Sequence, residues 1–158
     1  MKTFDDMIAE CLEQGVQELM PWDLSEWLEE ATRKSPILLD IREPYEYQQF
    51  HLENSINVPR GILESACEYG YEETVPEMAC SRERDIVLIC RSGKRSVLAA
   101  YTLHQMGFHN TISLKTGVKG WNDFDQPMIN NEGAEVDLDE VDAILTEKPT
   151  PAQLGVKI

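Results

Sequence analysis

Apolar residues recur at Ile8, Leu12, Val16 and Leu19, a three-to-four spacing that predicts a helix across 4–19. Asp23 and Glu26 stand like a capping box and predict a second helix carrying Leu24, Trp27 and Leu28. Behind Pro36 the helical period stops. The run ILLDI, 37–41, reads as a short buried strand, and Glu43-Pro44 as the start of a helix of one or two turns through Phe50. SINV, 55–58, predicts another short strand. Residues 61–84 read as a helical, acidic stretch broken at Gly70 and Pro76. DIVLIC, 85–90, is continuously apolar from Ile86 to Ile89 and gives the clearest strand. Ser96–Met106 predicts a helix with Gly107 where a C-terminal cap belongs. TISL, 111–114, predicts a strand, and Trp121 with Phe124 a last short helix. Past Pro127 the pattern weakens. Residues 128–158 read as a partly mobile acidic extension with at most one short helix, Leu138 to Leu145.

Strands alternating with helices predict an α/β fold, with a central parallel sheet covered by helices on both faces. The 158 residues fit one domain with flanks, and there are no internal repeats. The expected division is an acidic N-terminal helical segment, 1–19, a central domain, 20–128, and an acidic C-terminal extension, 129–158.

Charge changes the picture more than bulk composition does. The formal net charge of −15 disfavours nucleic acid and anionic membranes as partners. No apolar run reaches the length of a membrane span, and the polar, acidic N-terminus does not read as a signal peptide. The four cysteines, Cys11, Cys67, Cys80 and Cys90, are irregularly spaced without a CxxC pair. That spacing argues against a zinc site and a secreted disulfide scaffold, so a reducing compartment, by default the cytoplasm, is expected. Against the acidic background, residues 82–119 carry seven bases and two acids. Such an island is either ordinary solvated surface or a receptor for an anion.

The stretch CRSGKRS, 90–96, decides between these readings. Cys90 ends a buried strand, and a helix is predicted about five residues later. Ligands of open α/β sheets bind outside the carboxyl ends of strands. A tight loop there, with Gly93 free to take unusual dihedrals, can turn successive N–H groups inward as an anion-binding nest. Those groups, the helix dipole and Arg91, Lys94 and Arg95 favour thiolate over thiol at Cys90. Cys11, Cys67 and Cys80 lack such a setting and read as inert. Cys80, beside Arg82 and Arg84, is the one secondary candidate, as a resolving thiol. Asp40 and Arg42 read as a salt-bridged brace under the loop. His51 reads as satisfying a backbone group, and Trp27 and Trp121 as core.

These residues resemble the rhodanese-type sulfurtransferases. CRSGKRS is similar to their active-site loop. LLDIREPYEYQQFHLENSINVP, 38–59, is similar to their first signature through Asp40, Arg42, Glu43, Glu46, Tyr47, His51 and Pro59. SLKTGVKGWNDFDQP, 113–127, is similar to their closing signature through Gly117, Trp121 and Pro127. Thr116 stands where a second glycine is usual, and Leu52-Glu53-Asn54-Ser55 replaces Ile-x-Gly-Ala. The resemblance spans about residues 20–128 and implies a rhodanese-like three-layer fold. It also implies a thiosulfate sulfurtransferase in which the Cys90 thiolate takes the sulfane sulfur of thiosulfate or a persulfide donor. Sulfite leaves, and the Cys90 persulfide passes its sulfur to cyanide or a thiol. The loop Arg91, Ser92, Gly93, Lys94, Arg95 and Ser96 is then the substrate-binding element. Its backbone holds the persulfide, and its cations hold the donor's anionic end. No metal or organic cofactor is called for. The implied partners are a small anionic donor and a sulfur-acceptor protein.

Three alternative readings stand beside this one. One is a persulfide carrier in a protein sulfur relay with weak thiosulfate turnover. A second is a binding module without chemistry, though the intact cysteine and loop speak against it. The third is a phosphatase or arsenate reductase. Those enzymes use a Cys-x5-Arg loop that cradles a tetrahedral oxyanion. Here Arg95 follows Cys90 after four residues, a smaller loop that suits a single sulfur atom.

Overall fold

The computed structural model describes residues 1–155. Its sheet has five strands among these residues: β1 (Gln17–Leu19), β2 (Ile37–Asp40), β3 (Ile56–Asn57), β4 (Ile86–Ile89) and β5 (Thr111–Leu114). They run in the order β1-β5-β4-β2-β3, and every pair is parallel. The central strands β4 and β2 are almost wholly buried. This explains why their sequences are unbroken apolar runs rather than alternating ones.

Helices cover both faces, as the alternation predicts. On one face Leu39, Ile86, Leu88 and Cys90 pack under α6 (Arg95–Gln105), α1 (Phe4–Glu13) and the short α4 (Leu63–Ala66) and α5 (Pro76–Ala79). On the other, Leu38, Val87, Ile89 and Leu114 pack under α2 (Pro21–Glu29), α7 (Gly117–Asp123) and α8 (Leu138–Leu145). The remaining helix, α3 (Pro44–Gln49), follows β2. Its N-terminus carries the reciprocal capping box of Glu43 and Glu46.

Four expectations differ from the structure, each for a physical reason. The first helix ends at Glu13, because Gly15 takes a left-handed φ of 101°. Val16 is buried after the break, and Gln17–Leu19 pairs with β5 as the edge strand instead of extending the helix. The second helix begins at Pro21 and not at Asp23. Proline at the first position has its φ preset and no orphan N–H, so Asp23 falls inside the first turn. Residues 61–84 hold only a 3₁₀ turn at Arg60–Ile62 and the one-turn helices α4 and α5. There the Thr74 hydroxyl donates to the Glu68 carbonyl and accepts from the Tyr71 N–H, and Gly70 takes a φ of 103°.

The fourth difference concerns the C-terminal extension. Residues 128–145 are packed rather than mobile. Met128, Val141 and Leu145 are buried in the second core, and residues 51 and 129 exchange backbone hydrogen bonds of 2.9 Å. The acidic residues of α8 stay on the outside, while Val141 and Leu145, four apart, face inward. The extension's last residues, 156–158, lie outside the described residues.

Candidate active site

Cys90 directly follows β4, beside the end of β2, where Ile89 pairs with Asp40. From this boundary the chain runs to β3 on one side and to β5 on the other. It is the point where the direction of winding reverses, the usual ligand crevice of an open α/β sheet. Asp40 and Arg42 form a buried pair just there. The Arg42 backbone N–H and two of its side-chain nitrogens reach the Asp40 carboxylate at 2.8–3.1 Å, and Nη2 also donates to the Phe50 carbonyl at 2.6 Å. The Asn57 side-chain amide donates to the carbonyls of both residues. A fully buried ion pair is held only where hydrogen bonds satisfy the remaining polar atoms, as they do here.

The loop curls around the thiol. Cys90 is fully buried. Its Sγ accepts the backbone N–H of Gly93 at 3.1 Å and that of Ser96 at 3.4 Å, and lies 3.3 Å from the Ser96 hydroxyl. Ser96 is in the first turn of α6, so the positive end of that helix also faces the sulfur. Gly93 takes φ +88°, and a Cβ there would lie 2.7 Å from the Thr116 backbone nitrogen. Gly117 is equally constrained, since its Cβ would meet the Cys90 carbonyl oxygen at 2.4 Å. Val118 N–H donates to that same oxygen at 2.9 Å. Thr116, at the position of the missing glycine, adopts φ +69° all the same, a strained conformation for a β-branched residue. Asn54, likewise at a glycine position, takes φ +66°, which asparagine tolerates better.

The loop cations all find partners within the chain. Arg95 is bidentate to Glu46 of α3, at 2.9 and 3.0 Å. Lys94 meets Asp5 of α1 at 3.0 Å and lies over the Phe4 ring. Arg91 donates to the Leu145 carbonyl at the end of α8 at 2.9 Å. Ser92 is exposed between two clefts, one running towards α8 and one towards Trp22 and Phe124. Burial pushes the Glu46 carboxyl up. Hydrogen bonds from Arg95 and the Glu43 N–H, with the charges of Arg95 and Arg42, outweigh this and hold it below the usual carboxylate range. The Arg95 guanidinium is correspondingly raised, chiefly by its hydrogen bonds to Glu46.

The other cysteines are placed apart from this nest. Burial pushes the Cys67 thiol up to about 12 and raises that of Cys11, so neither forms a ready thiolate. Cys80 does not join Cys90 as a resolving thiol. It follows α5, where Arg82 ties the Ala79 carbonyl to that of Met106 at the far end of α6. The 11 residues of α6 separate that end from Cys90 by roughly 16 Å. His51 contacts the Tyr47 carbonyl through Nδ1 at 2.7 Å and stacks on the Tyr47 ring. Trp121 and Trp27 are core residues whose indole N–H groups reach backbone carbonyls.

Sequence reasoning missed Asp5, Leu145 and Ser113 as neighbours of the loop. Asp5 and Leu145 come from segments far away along the chain and carry no local signal. Ser113 does carry one. In TISL the polar residues Thr111 and Ser113 alternate with Ile112 and Leu114, which places both on the α6 face of a buried strand. Among the described residues no cluster of three His, Cys, Asp or Glu side chains is arranged to hold a metal ion, and no helix is long and apolar enough to cross a membrane.

The family model described as "Rhodanese-like domain" matches residues 23–124. A Schizosaccharomyces pombe protein, provisionally named a mitochondrial thiosulfate sulfurtransferase, is 36% identical over 93 residues, covering 57% of this chain and 66% of that protein. A Bacillus subtilis protein, provisionally named a sulfur carrier, is 30% identical over 84 residues, 53% of this chain and 40% of that protein. The chain therefore spans less than two thirds of the length of either relative. An Allochromatium vinosum sulfurtransferase is 28% identical over 118 residues, 75% of this chain and 99% of that protein. Among solved structures, a rhodanese-related protein of Thermoplasma volcanium superposes with a TM-score of 0.58 at 26% identity, covering 72% of this chain and 97% of that one.

Proposed function

The chain belongs to the rhodanese-like domain family, and from that premise we propose that it is a sulfurtransferase with Cys90 as its nucleophile. The observation that carries this reading is the geometry of one atom. Cys90 Sγ receives two backbone N–H groups at the start of a helix, an environment that stabilises a thiolate and then a persulfide anion.

The proposed reaction is a double displacement. The Cys90 thiolate attacks the outer sulfur of thiosulfate, the S–S bond of the donor breaks, and sulfite leaves with the bonding electrons. The enzyme then holds Cys90–S–S⁻. Cyanide or a thiolate acceptor attacks the terminal sulfur, the persulfide bond breaks, and Cys90 departs as thiolate. No electron carrier enters either half. Backbone groups of 91–96 hold the sulfur anion. Lys94, half-exposed and held by an exposed carboxylate and the Phe4 ring, is the cation best placed to turn to the donor. The Cys-x4-Arg spacing supports sulfur over phosphoryl chemistry.

One observation favours a second reading, a persulfide carrier in a protein relay that turns over thiosulfate poorly. Arg91, Lys94 and Arg95 are all engaged inside the chain, which reduces the positive charge offered to a dianion. The test separates the two. The protein is incubated with thiosulfate, its intact mass is read for one added sulfur atom, and cyanide is added to release thiocyanate. The enzyme reading expects rapid loading and turnover, abolished in Cys90→Ser and largely kept in Cys11→Ser, Cys67→Ser and Cys80→Ser. A carrier loads faster from an organic persulfide than from thiosulfate. Turnover by Cys90→Ser near the wild-type rate overturns both.

A further inference from the structure

We propose that Ser113 is a positioning residue that donates to the Ser96 hydroxyl and so strengthens the hydrogen bond that Ser96 gives the Cys90 sulfur. The inference rests on Cys90 being the nucleophile. It comes from a chain of three buried atoms. Cys90 Sγ lies 3.3 Å from Ser96 Oγ, and Ser96 Oγ lies 2.7 Å from Ser113 Oγ. All three residues are fully buried. They come from three elements: the loop end of β4, the first turn of α6 and the middle of β5. Ser113 pairs with Leu88 across the sheet, which fixes its side chain on the face that α6 covers.

The direction of this chain follows from counting donors and acceptors. Each hydroxyl has one proton to give. Among the described residues, Ser113 Oγ has one hydrogen-bond partner, Ser96 Oγ. If Ser96 turned its proton towards Ser113, the Ser113 proton would have no acceptor, and a buried unsatisfied donor is costly. The satisfied arrangement runs the other way: Ser113 O–H donates to Ser96 Oγ, and Ser96 O–H donates to Cys90 Sγ. A sulfur that receives this proton and the N–H groups of Gly93 and Ser96 has three donors aimed at it. An anionic sulfur accepts all three. A thiol that donated to Ser96 would leave one of the two hydroxyl protons, that of Ser96 or that of Ser113, without an acceptor. By donating to Ser96 Oγ, Ser113 polarises the Ser96 O–H and favours the thiolate, and the persulfide after it, without touching either.

The charged groups around the sulfur are separate from this device. They are Arg95 at the start of α6, Asp40 and Arg42 beside the end of β2, Glu46 on α3, and Arg91 and Lys94 on the loop. A change at Ser113 leaves every one of them in place.

The test reads thiolate formation by its ultraviolet absorbance against pH, each protein taken against its own Cys90→Ser counterpart. This needs no reagent to reach the buried sulfur and no sulfur donor. Ser113→Ala removes one oxygen, and Ser96→Ala is the second variant. In Ser113→Ala the midpoint of thiolate formation moves to higher pH, by an amount equivalent to about a 1.5- to four-fold change in the ionisation constant. Ser96→Ala moves it in the same direction. The double variant matches Ser96→Ala alone, because Ser113 acts only through Ser96. An unmoved midpoint in Ser113→Ala overturns the proposal, as does a further shift when Ser113→Ala is added to Ser96→Ala. A protein that shows the predicted shifts but accepts no sulfur overturns the sulfurtransferase reading and leaves the role of Ser113 standing.

Discussion

Two opposing effects meet at Glu46. Burial disfavours its charged form, while Arg95, Arg42 and the Glu43 N–H favour it, and the second group prevails. A carboxylate held below its ordinary range stabilises the fold above that range, and the contribution is lost as pH falls through the lowered value. Glu46 is 13% exposed and Arg95 32%, so solvent screens the pair only in part. Glu46→Gln is therefore expected to cost on the order of 1.5–3 kcal/mol at neutral pH. Urea unfolding of both proteins against pH checks this. The gap in midpoint is widest near neutrality and closes towards acid, where the wild-type carboxyl takes up its proton. A gap that stays constant through acid pH means that the Glu46 charge is not what holds Arg95. Activity is expected to fall too, because Arg95 opens α6 and sets the direction of the loop.

At the level of elements, the cysteine loop is gripped from outside the family-matched residues. The N-terminus of α1 is fixed by the reciprocal Thr3–Asp6 capping box and presents Asp5 and Phe4 to Lys94. The end of α8 receives Arg91 through the Leu145 carbonyl. The Lys94–Asp5 pair is exposed on both sides, at 51% and 78%, so it contributes little to stability. Its effect is on where the Lys94 charge points. Asp5→Asn is expected to free that charge and lower KM for thiosulfate by about two- to five-fold, with kcat unchanged. Steady-state kinetics at low and high salt check this, since screening should shrink the gain. An unchanged KM at low salt shows that Lys94 takes no part in donor binding.

Over the whole molecule, a chain with a net charge of −15 folds around two apolar layers, and Asp40 is the one acid among the described residues that is buried. Both flanks take part in that body. β1 completes one edge of the sheet, and α8 closes the second core through Val141 and Leu145. Leu145→Ala is expected to cost about 2–5 kcal/mol, the usual range for emptying a buried leucine site. It should also reduce activity, because loosening the end of α8 displaces the backbone carbonyl of residue 145 that anchors Arg91. Denaturant unfolding followed by Trp fluorescence measures the first, and thiocyanate release the second. Unfolding indistinguishable from wild type contradicts a packed α8.

How much of this was legible in the sequence depends on the range of each interaction. The apolar runs of β2 and β4, the Gly93 turn and the spacing of Cys90 from Arg95 are local, and local patterns are fixed by periodicity and backbone sterics. They were enough to read the parallel sheet, the nest around Cys90 and the likeness to rhodaneses. The helix predicted over 4–19 shows the limit. Its spacing was real, yet Gln17–Leu19 is a strand because β5, almost a hundred residues later, offers hydrogen bonds there. The cations show it again. Sequence places Arg91, Lys94 and Arg95 beside the thiol, and only the tertiary fold brings Leu145, Asp5 and Glu46 to them. Ser113 belongs to the same class, since its hydroxyl matters through a neighbour on another element. Sequence by itself determined which thiol stands at the strand-to-helix loop and which backbone surrounds it. Tertiary structure decided which charges and protons face that atom, because the direction of a side chain's hydrogen bond is set by partners that are distant along the chain.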